Sequence, residues 1–262
     1  IDISASDAVI ACNIIGLNPA GAAAGNGANG VLLAGANTVI GPFGAALGNV
    51  VSANTNGLFI WQPSSATNLV AGNYIGTDAT GLLDRGNSSN GIFLGYGASN
   101  NVIGGASAAE RNIISGNGGD GVRLEITSTV NNQVAGNFIG LTAAGTAALP
   151  NFGAGVILAG VTNNDVGGVA AGQGNRIAHN AQEGVIVWDG AVNNRILGNR
   201  LENNGFLGID LGGDGVTAND AGDGDGGENQ RQNYPVLSEA YPLVGDGGTG
   251  VLGSLNSTAN TS

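Results

Sequence analysis

Apolar residues along this chain fall into short alternating runs bounded by Asn or Gly, and the runs recur in threes. The first signal is an aliphatic residue two places after a slot that is usually Asn: Asn37/Val39, Asn68/Val70, Asn101/Ile103, Asn132/Val134, Asn164/Val166 and Asn194/Ile196, with Ala8/Ile10 as a degenerate first copy. The second is Asn-x-aliphatic, at Asn13/Ile15, Asn49/Val51, Asn73/Ile75, Asn112/Ile114, Asn137/Ile139, Asn175/Ile177 and Asn199/Leu201. The third is Gly-aliphatic-x-aliphatic, beginning at Gly30, Gly57, Gly91, Gly121, Gly155, Gly184 and Gly208. Period-2 alternation between turn formers predicts strands. Seven ordered triplets predict an all-β chain: a single-stranded parallel β-helix of seven coils, each of three short strands. The coils start near residues 8, 37, 68, 101, 132, 164 and 194.

Asparagine suits the corners of such a solenoid on two counts. It tolerates the left-handed conformation, and its amide can bond the same amide one coil on. Glycine at the strand starts suits a corner that needs positive φ or close backbone approach. The repeat also has a second order. Odd coils carry long inserts between their second and third strands, "GLNPAGAAAGNGAN", "GTDATGLLDRGNSSN" and "GLTAAGTAALPNFGA". Even coils carry shorter ones between the first and second, "GPFGAALG", "GGASAAER" and "GGVAAGQG". The true unit is therefore a pair of coils, with long loops projecting from two corners, and loops on a rigid scaffold are where function usually sits.

Alternation assigns the third strands an inward aliphatic pair in every coil, from Val31/Leu33 to Ile209/Leu211. The outward places should be polar, yet read Leu32, Phe59, Phe93, Arg123, Ile157, Ile186 and Asp210, with Trp61 and Trp188 also outward. Phe59, Trp61, Phe93, Arg123, Ile186 and Trp188 are thus the candidate binding surface, for a protein or for a glycan whose rings stack on the aromatics. The competing expectation is that the long inserts, with Leu82 and Leu83, fold over this stripe and bury it.

Composition narrows the function. The chain has 262 residues, 50 of them Gly, a formal charge of −12 and no lysine. Glycine follows no three-residue period, which excludes collagen. An acidic chain without a basic stripe argues against nucleic acid and anionic membranes, and no run is long and apolar enough to span a bilayer. Cys12 stands alone, so no internal disulfide forms, and the strand-like "IACNI" around it reads as a buried structural thiol. Methionine is absent even at position 1 and no signal peptide is visible, which suggests a processed or excised piece.

After the last coil comes a burst of acid, "DGVTANDAGDGDGGE". Asp214, Asn219, Asp220, Asp223, Asp225 and Glu228 are candidate ligands for Ca2+, since alternating Asp-Gly lets a loop bring oxygens together and calcium takes six to eight. The spacing is not that of an EF-hand. The segment also reads as a solvated turn, or as a cap on the open end of the solenoid, which needs one. Exposed coil ends recruit other strands unless capped, so end-to-end or side-by-side self-association stays open. Catalysis finds little support. Arg123 is flanked by Asp120 and Glu125, but no stack of two or three acids with a base recurs from coil to coil. His179, beside corner Asn180, has no second His or Cys at ligand spacing and reads as a corner hydrogen-bonding residue.

The segments "NNVIGG…RNIISGN…GVRL", "GNYIGTDATG", "GIDLGGDGVTANDAGDGDGGENQRQNYPVL" and "GTGVLGSLNSTANTS" resemble right-handed parallel β-helix repeat proteins of the pectate-lyase-like superfamily. More narrowly, they resemble large secreted bacterial surface proteins that carry this repeat. The resemblance implies right-handed winding, an extracellular or cell-surface setting and a last stretch leading into another β domain. It supplies no catalytic residues. The expected layout is a solenoid over 1–212, an acidic capping loop over 213–234 and the start of a further β domain over 235–262. The expected role is a non-enzymatic stalk or adhesive surface. Its alternatives are a polysaccharide lyase or glycoside hydrolase on the same scaffold, and calcium-dependent glycan binding through the acidic loop with Trp61 or Trp188.

Overall fold

A computed structural model describes residues 1–42, 48–224, 226–243 and 248–256. Its body is three parallel sheets that wrap one narrow core, one strand per sheet per turn: a parallel β-helix. The first-strand sheet stacks Val9–Ile10, Val39–Ile40, Leu69–Val70, Val102–Gly104, Gln133–Ala135, Asp165–Gly167 and Arg195–Leu197. The second-strand sheet stacks Ile14–Ile15, Val50–Val51, Tyr74–Ile75, Ile113–Ile114, Phe138–Ile139, Arg176–Ala178 and Arg200–Glu202. The third-strand sheet has eight members. Asp2–Ile3, which stands ahead of the first coil, pairs with Val31–Leu33, and the stack runs on through Leu58–Trp61, Ile92–Gly95, Val122–Glu125, Val156–Ala159 and Val185–Trp188 to Ile209–Leu211. Beyond the solenoid, Val236–Pro242 and Thr249–Ser254 form a two-stranded antiparallel sheet with no buried residue.

Each middle coil turns four aliphatic side chains inward, and like stacks on like. Val70, Ile103, Val134 and Val166 form one fully buried column, Ile75, Ile114, Ile139 and Ile177 a second, and the third-strand pairs two more. Each such side chain contributes about 1.5–3 kcal/mol by leaving water. The core opens at the last coil, where inward Ile209 is 42% exposed and Ile196, Leu201 and Leu211 are partly buried.

Buried amides fix the corners. Along the first corner, side-chain Nδ2 groups of Asn68, Asn101, Asn132 and Asn164 each donate to Oδ1 of the next coil's Asn at 2.8–3.2 Å. Along the second, the run from Asn13 to Asn199 does the same at 2.9–3.1 Å. A third ladder stands before the third strands, where the sequence had pointed only to Gly. It links Asn26, Asn54, Asn87, Asn117, Asn151, Asn180 and Asn204 at 2.8–3.3 Å. Most of these amides also donate to a backbone carbonyl, so the polar groups that a chain must bury at its bends are satisfied within the wall.

Four corner assignments change. The two tasks given to one Asn belong to neighbours: the ladder residue is extended, and the residue before it is left-handed, as at Asn100, Asn131, Asn163 and Asn193 with φ of 55–58°. This moves the second coil's slot by one, from Asn37/Val39 to Thr38/Ile40, because Val39 pairs with Leu69 and Ile40 with Val70. Cys12 is exposed rather than buried and takes the left-handed place at φ 60°, which Gly72 and Gly136 hold in later odd coils. His179 holds the same kind of place before Asn180, at φ 61°, and its N donates to Glu202 O of the next coil at 3.4 Å. The strand-start glycines serve close approach alone. A Cβ on Gly57, Gly91, Gly121 or Gly184 would lie 2.5–2.6 Å from the next coil's carbonyl oxygen.

Candidate functional site

The two outer faces that carry apolar rows differ in what lies above them. On the second-strand sheet the outward column is Ile14, Val50, Tyr74, Ile113, Phe138, Arg176 and Arg200. The odd-coil inserts fold over this column. Each makes the same small hairpin, closed by an antiparallel bridge at Leu17/Ala23, Thr77/Asp84 or Leu141/Ala148. Left-handed Gly81 then sits against the Tyr74 ring, and left-handed Gly145 against the Phe138 ring. A Cβ on Gly81 would approach Tyr74 to 2.7 Å, so only glycine lets the insert lie this close. The Arg111 guanidinium covers Phe138 at 4.1 Å. Successive inserts are tied together by Arg85 Nε donating to Gly21 O at 2.9 Å and Ala143 N donating to Gly81 O at 2.9 Å.

Among the described residues, none of these hairpins lies over the third-strand face. The expected burial of its stripe under the inserts holds only in part: Ile157 and Ile186 are buried with Ala154, the end of an odd-coil insert, whereas the insert hairpins lie on the neighbouring face and Leu82 and Leu83 point to solvent at 53% and 52%. Nor is the stripe continuous. Its first part is an aromatic cluster in coils two and three. Phe59 and Phe93 meet edge to face at 4.9 Å, and Trp61 and Tyr96 stand 6.3 and 6.2 Å from Phe59. Tyr96 escaped the strand alternation because it lies just past its strand, in a left-handed position at φ 56°. Gly95 makes room for the Phe93 ring.

Next comes a charged break. Arg123 donates to Glu125 at 2.7 Å and to Asp120 at 3.1 Å. Burial pushes the Asp120 carboxyl above its ordinary value, against the backbone hydrogen bond from Ala154 and the Arg123 guanidinium, which pull it down. The last part, Ile157, Ile186 and Trp188, is a small core of its own. Ile157 and Ile186 are buried with Ala154 and Ala159, and Gly213 lies against Ile186 and Trp188. Ile186 is therefore no surface residue, while Trp188 remains half exposed, some four coils or ~19 Å from Trp61. Asp210, expected outward, is buried because its carboxylate accepts from Gly213 N and Gly215 N and ties down that turn.

The acidic segment divides its expected ligands. Asp214 is exposed in the turn that Asp210 closes. Asn219, Asp220 and Asp223 form a clasp around buried Asn233: Asn219 bonds both ways with Tyr234, Asp220 N donates to Asn233, and Asp223 accepts from Asn233 N at 2.6 Å. One acceptor of that clasp, Asp220 Oδ1, is buried without a partner. Glu228 lies elsewhere, at the solenoid end, where it accepts from Gly190 N and pairs with Arg231. Asp225 lies outside the described residues. Among the described residues, no group of three or more His, Cys, Asp or Glu side chains is placed to hold a metal ion.

Beside Glu228, Asn229 does what an eighth coil would do. Its Oδ1 accepts from Asn194 N at 3.0 Å, its Nδ2 donates to Asn194 O at 2.8 Å, and its own N donates to Ala191 O. The first amide ladder thus ends on a residue that does not belong to a strand.

No helix among the described residues is long and apolar enough to cross a membrane. A scan against protein-family models finds no match, and searches of curated proteins and of solved structures find none either.

Proposed function

We propose that the chain is a non-enzymatic structural and adhesive module, a rigid β-solenoid rod of a secreted or cell-surface bacterial protein. Its aromatic cluster is the contact surface for a protein partner. The observation that carries this reading is the cluster of Phe59, Trp61, Phe93 and Tyr96, which stands on a face away from the insert hairpins and exposes Trp61 and Tyr96. Aromatic residues with a neighbouring Arg are what protein interfaces concentrate at their centres.

Stiffness follows from three continuous sheets and three amide ladders, in which bending would break many bonds at once. The charged groups on the aromatic face are engaged with one another, Arg123 with Asp120 and Glu125, which argues for scaffold rather than catalysis. Right-handed winding belongs to this proposal. It rests on the strong bias of crossovers between parallel strands and on the resemblance to pectate-lyase-like β-helix proteins. The secreted setting rests on the same resemblance and on the lack of lysine, which leaves few trypsin-type cleavage sites.

The test is incubation of the purified chain with pectate, alginate and related polymers. No unsaturated or reducing ends should appear above background. Steady release that survives repeated purification would replace the adhesive reading with a polysaccharide lyase or hydrolase.

A further inference from the structure

Six Asn-Gly pairs occur in the chain, beginning at Asn26, Asn29, Asn56, Asn90, Asn117 and Asn204. Such a pair carries latent chemistry. The Gly nitrogen can close a five-membered ring on the Asn side-chain carbonyl carbon, and glycine has no Cβ to bar the approach. Attack needs that nitrogen free of hydrogen bonds and the backbone around it free to turn.

Five of the six nitrogens are held. Gly30 N donates to Asn56 O, Gly57 N to Asn90 O, Gly91 N to Asp120 O, Gly118 N to Asn87 O and Gly205 N to Asn180 O, all at 2.8–3.1 Å. Each of these bonds crosses to a neighbouring coil and is part of the wall. Gly27 N makes no hydrogen bond among the described residues. Gly27 is exposed and left-handed at φ 66°, and a Cβ there would meet nothing within 4 Å. Asn26 is exposed too and is fastened through Asn54 alone. Its Nδ2 donates to Asn54 Oδ1 at 2.8 Å, and its N donates to the same oxygen at 3.3 Å.

We propose that Asn26 is a self-modification site, the Asn-Gly pair that converts to isoaspartate and aspartate while the chain stays folded. Gly27 N gives its proton to solvent and forms a bond to Asn26 Cγ. The Cγ–Nδ2 bond breaks, and Nδ2 leaves as ammonia with a proton from water, which completes a succinimide ring. Water then opens the ring. Cleavage at the backbone carbonyl leaves isoaspartate, and cleavage at the side-chain carbonyl leaves aspartate. The net exchange is one amide and one water for one carboxylate and one ammonium ion, with no change of oxidation state.

Asn26 is the first rung of the third amide ladder, so the product is felt there. A carboxylate oxygen replaces the Nδ2 donor opposite Asn54 Oδ1, and the formal charge goes from −12 to −13 (−12 − 1). The effect stops at one rung, because Asn54 keeps its own bonds to Asn87 Oδ1. What loosens is the first odd-coil insert, whose Gly21 O accepts from Arg85 of the next one. The modification is thus a slow, one-way release of that insert from the rod. It is independent of the aromatic cluster, which lies on another face.

The experiment is incubation of the folded full chain in mildly alkaline buffer, sampled over time by top-down mass spectrometry, which assigns each one-unit mass gain to a residue. Asn26 should deamidate about tenfold faster than the other five, since each of those must first open a hydrogen bond to free its nitrogen. In urea, where the wall is gone, all six should proceed at similar rates. Asn26→Gln should remove the fast phase from the folded chain. The proposal is overturned if Asn26 is no faster than the other five in the folded chain, if its lead persists in urea, or if the fast phase survives Asn26→Gln.

Discussion

Phe93 and Phe138 occupy outward places on two adjoining sheets of the same rod, and both are half-buried, by different means. Phe138 lies under Gly145 of an insert and the guanidinium of Arg111. Phe93 is packed from within its own face, edge to face on Phe59 and against Gly95 of its own strand. The strands beneath are built alike, so sheet pairing does not decide which apolar row becomes an internal seam and which stays a surface. The decision lies in the loops, and within them in single glycines that let a backbone rest on a ring.

Substitution of those glycines should show the largest effect. Gly81→Val must place a Cβ against Tyr74 and Ala143 at φ 68°, and we expect a loss of about 2–4 kcal/mol by denaturant melting. The matched change Gly95→Ala meets only the edge of the Phe93 ring, which can swing toward solvent, and should cost about 1 kcal/mol or less. Equal costs would mean that both faces are sealed.

Ring removal comes next. Phe138→Ala should destabilise by about 2–3 kcal/mol, near the lower end for aromatic truncation. Phe93→Ala should cost about 1 kcal/mol, roughly its edge-to-face contact. A reversed order in urea titrations would contradict the distinction between covered and bare faces.

Acid–base behaviour separates the faces with opposite sign. On the third-strand face burial raises Asp120 above its ordinary value of 3.8, so its contribution is full below that pH and is lost as pH rises through the folded value. On the second-strand face Glu202 is held below 4.5 by hydrogen bonds from Arg176 and Arg200, so its contribution is present above that pH and is lost as pH falls through the lowered folded value. Thermal melts from pH 3 to 7 should show Asp120→Asn gaining on the parent as pH rises. Glu202→Gln should fall behind it at pH 7 and rejoin it in acid.

Calcium should do least. With Glu228 at the solenoid end and Asn219, Asp220 and Asp223 turned into a clasp, millimolar calcium should move the melting temperature by no more than about 2 °C. A rise of more than about 5 °C, abolished by Asp220→Ala, would mean that the acidic segment gathers around the ion after all.

The coil count, the strand positions and the aliphatic core were legible because alternation and a fixed period report directly on which side of a wall a residue faces. Thr38 broke the frame by one place because an Asn beside it imitated the slot, and only pairing of Ile40 with Val70 resolves the two. The third ladder left a trace in the sequence, an Asn four places before most strand-start glycines, but Asn recurs at the other corners too and the trace does not stand out. The aromatic face was half legible. Alternation placed Phe59, Trp61 and Phe93 outward, yet it could not assign Tyr96, which follows its strand, nor see that a turn pinned by Asp210 would lie over Ile186. Which face the inserts cover was not readable at all, since it depends on how a glycine loop settles on a ring one coil away. The acidic burst is the least readable part, because composition reports how many oxygens are present and not that Glu228 stands at the solenoid end while Asp220 and Asp223 stand around Asn233.

The amide ladders also give the rod a direction. In all three, Nδ2 points toward the later coil and Oδ1 toward the earlier. Every coil therefore receives on one side what it gives on the other, like a link threaded into a chain. A pair of coils, such as residues 101–163, can be cut out or copied in with both new junctions already matched in amide polarity and in the alternation of inserts. Length is then a property that duplication and deletion can reset in steps of two coils, without redesigning either end.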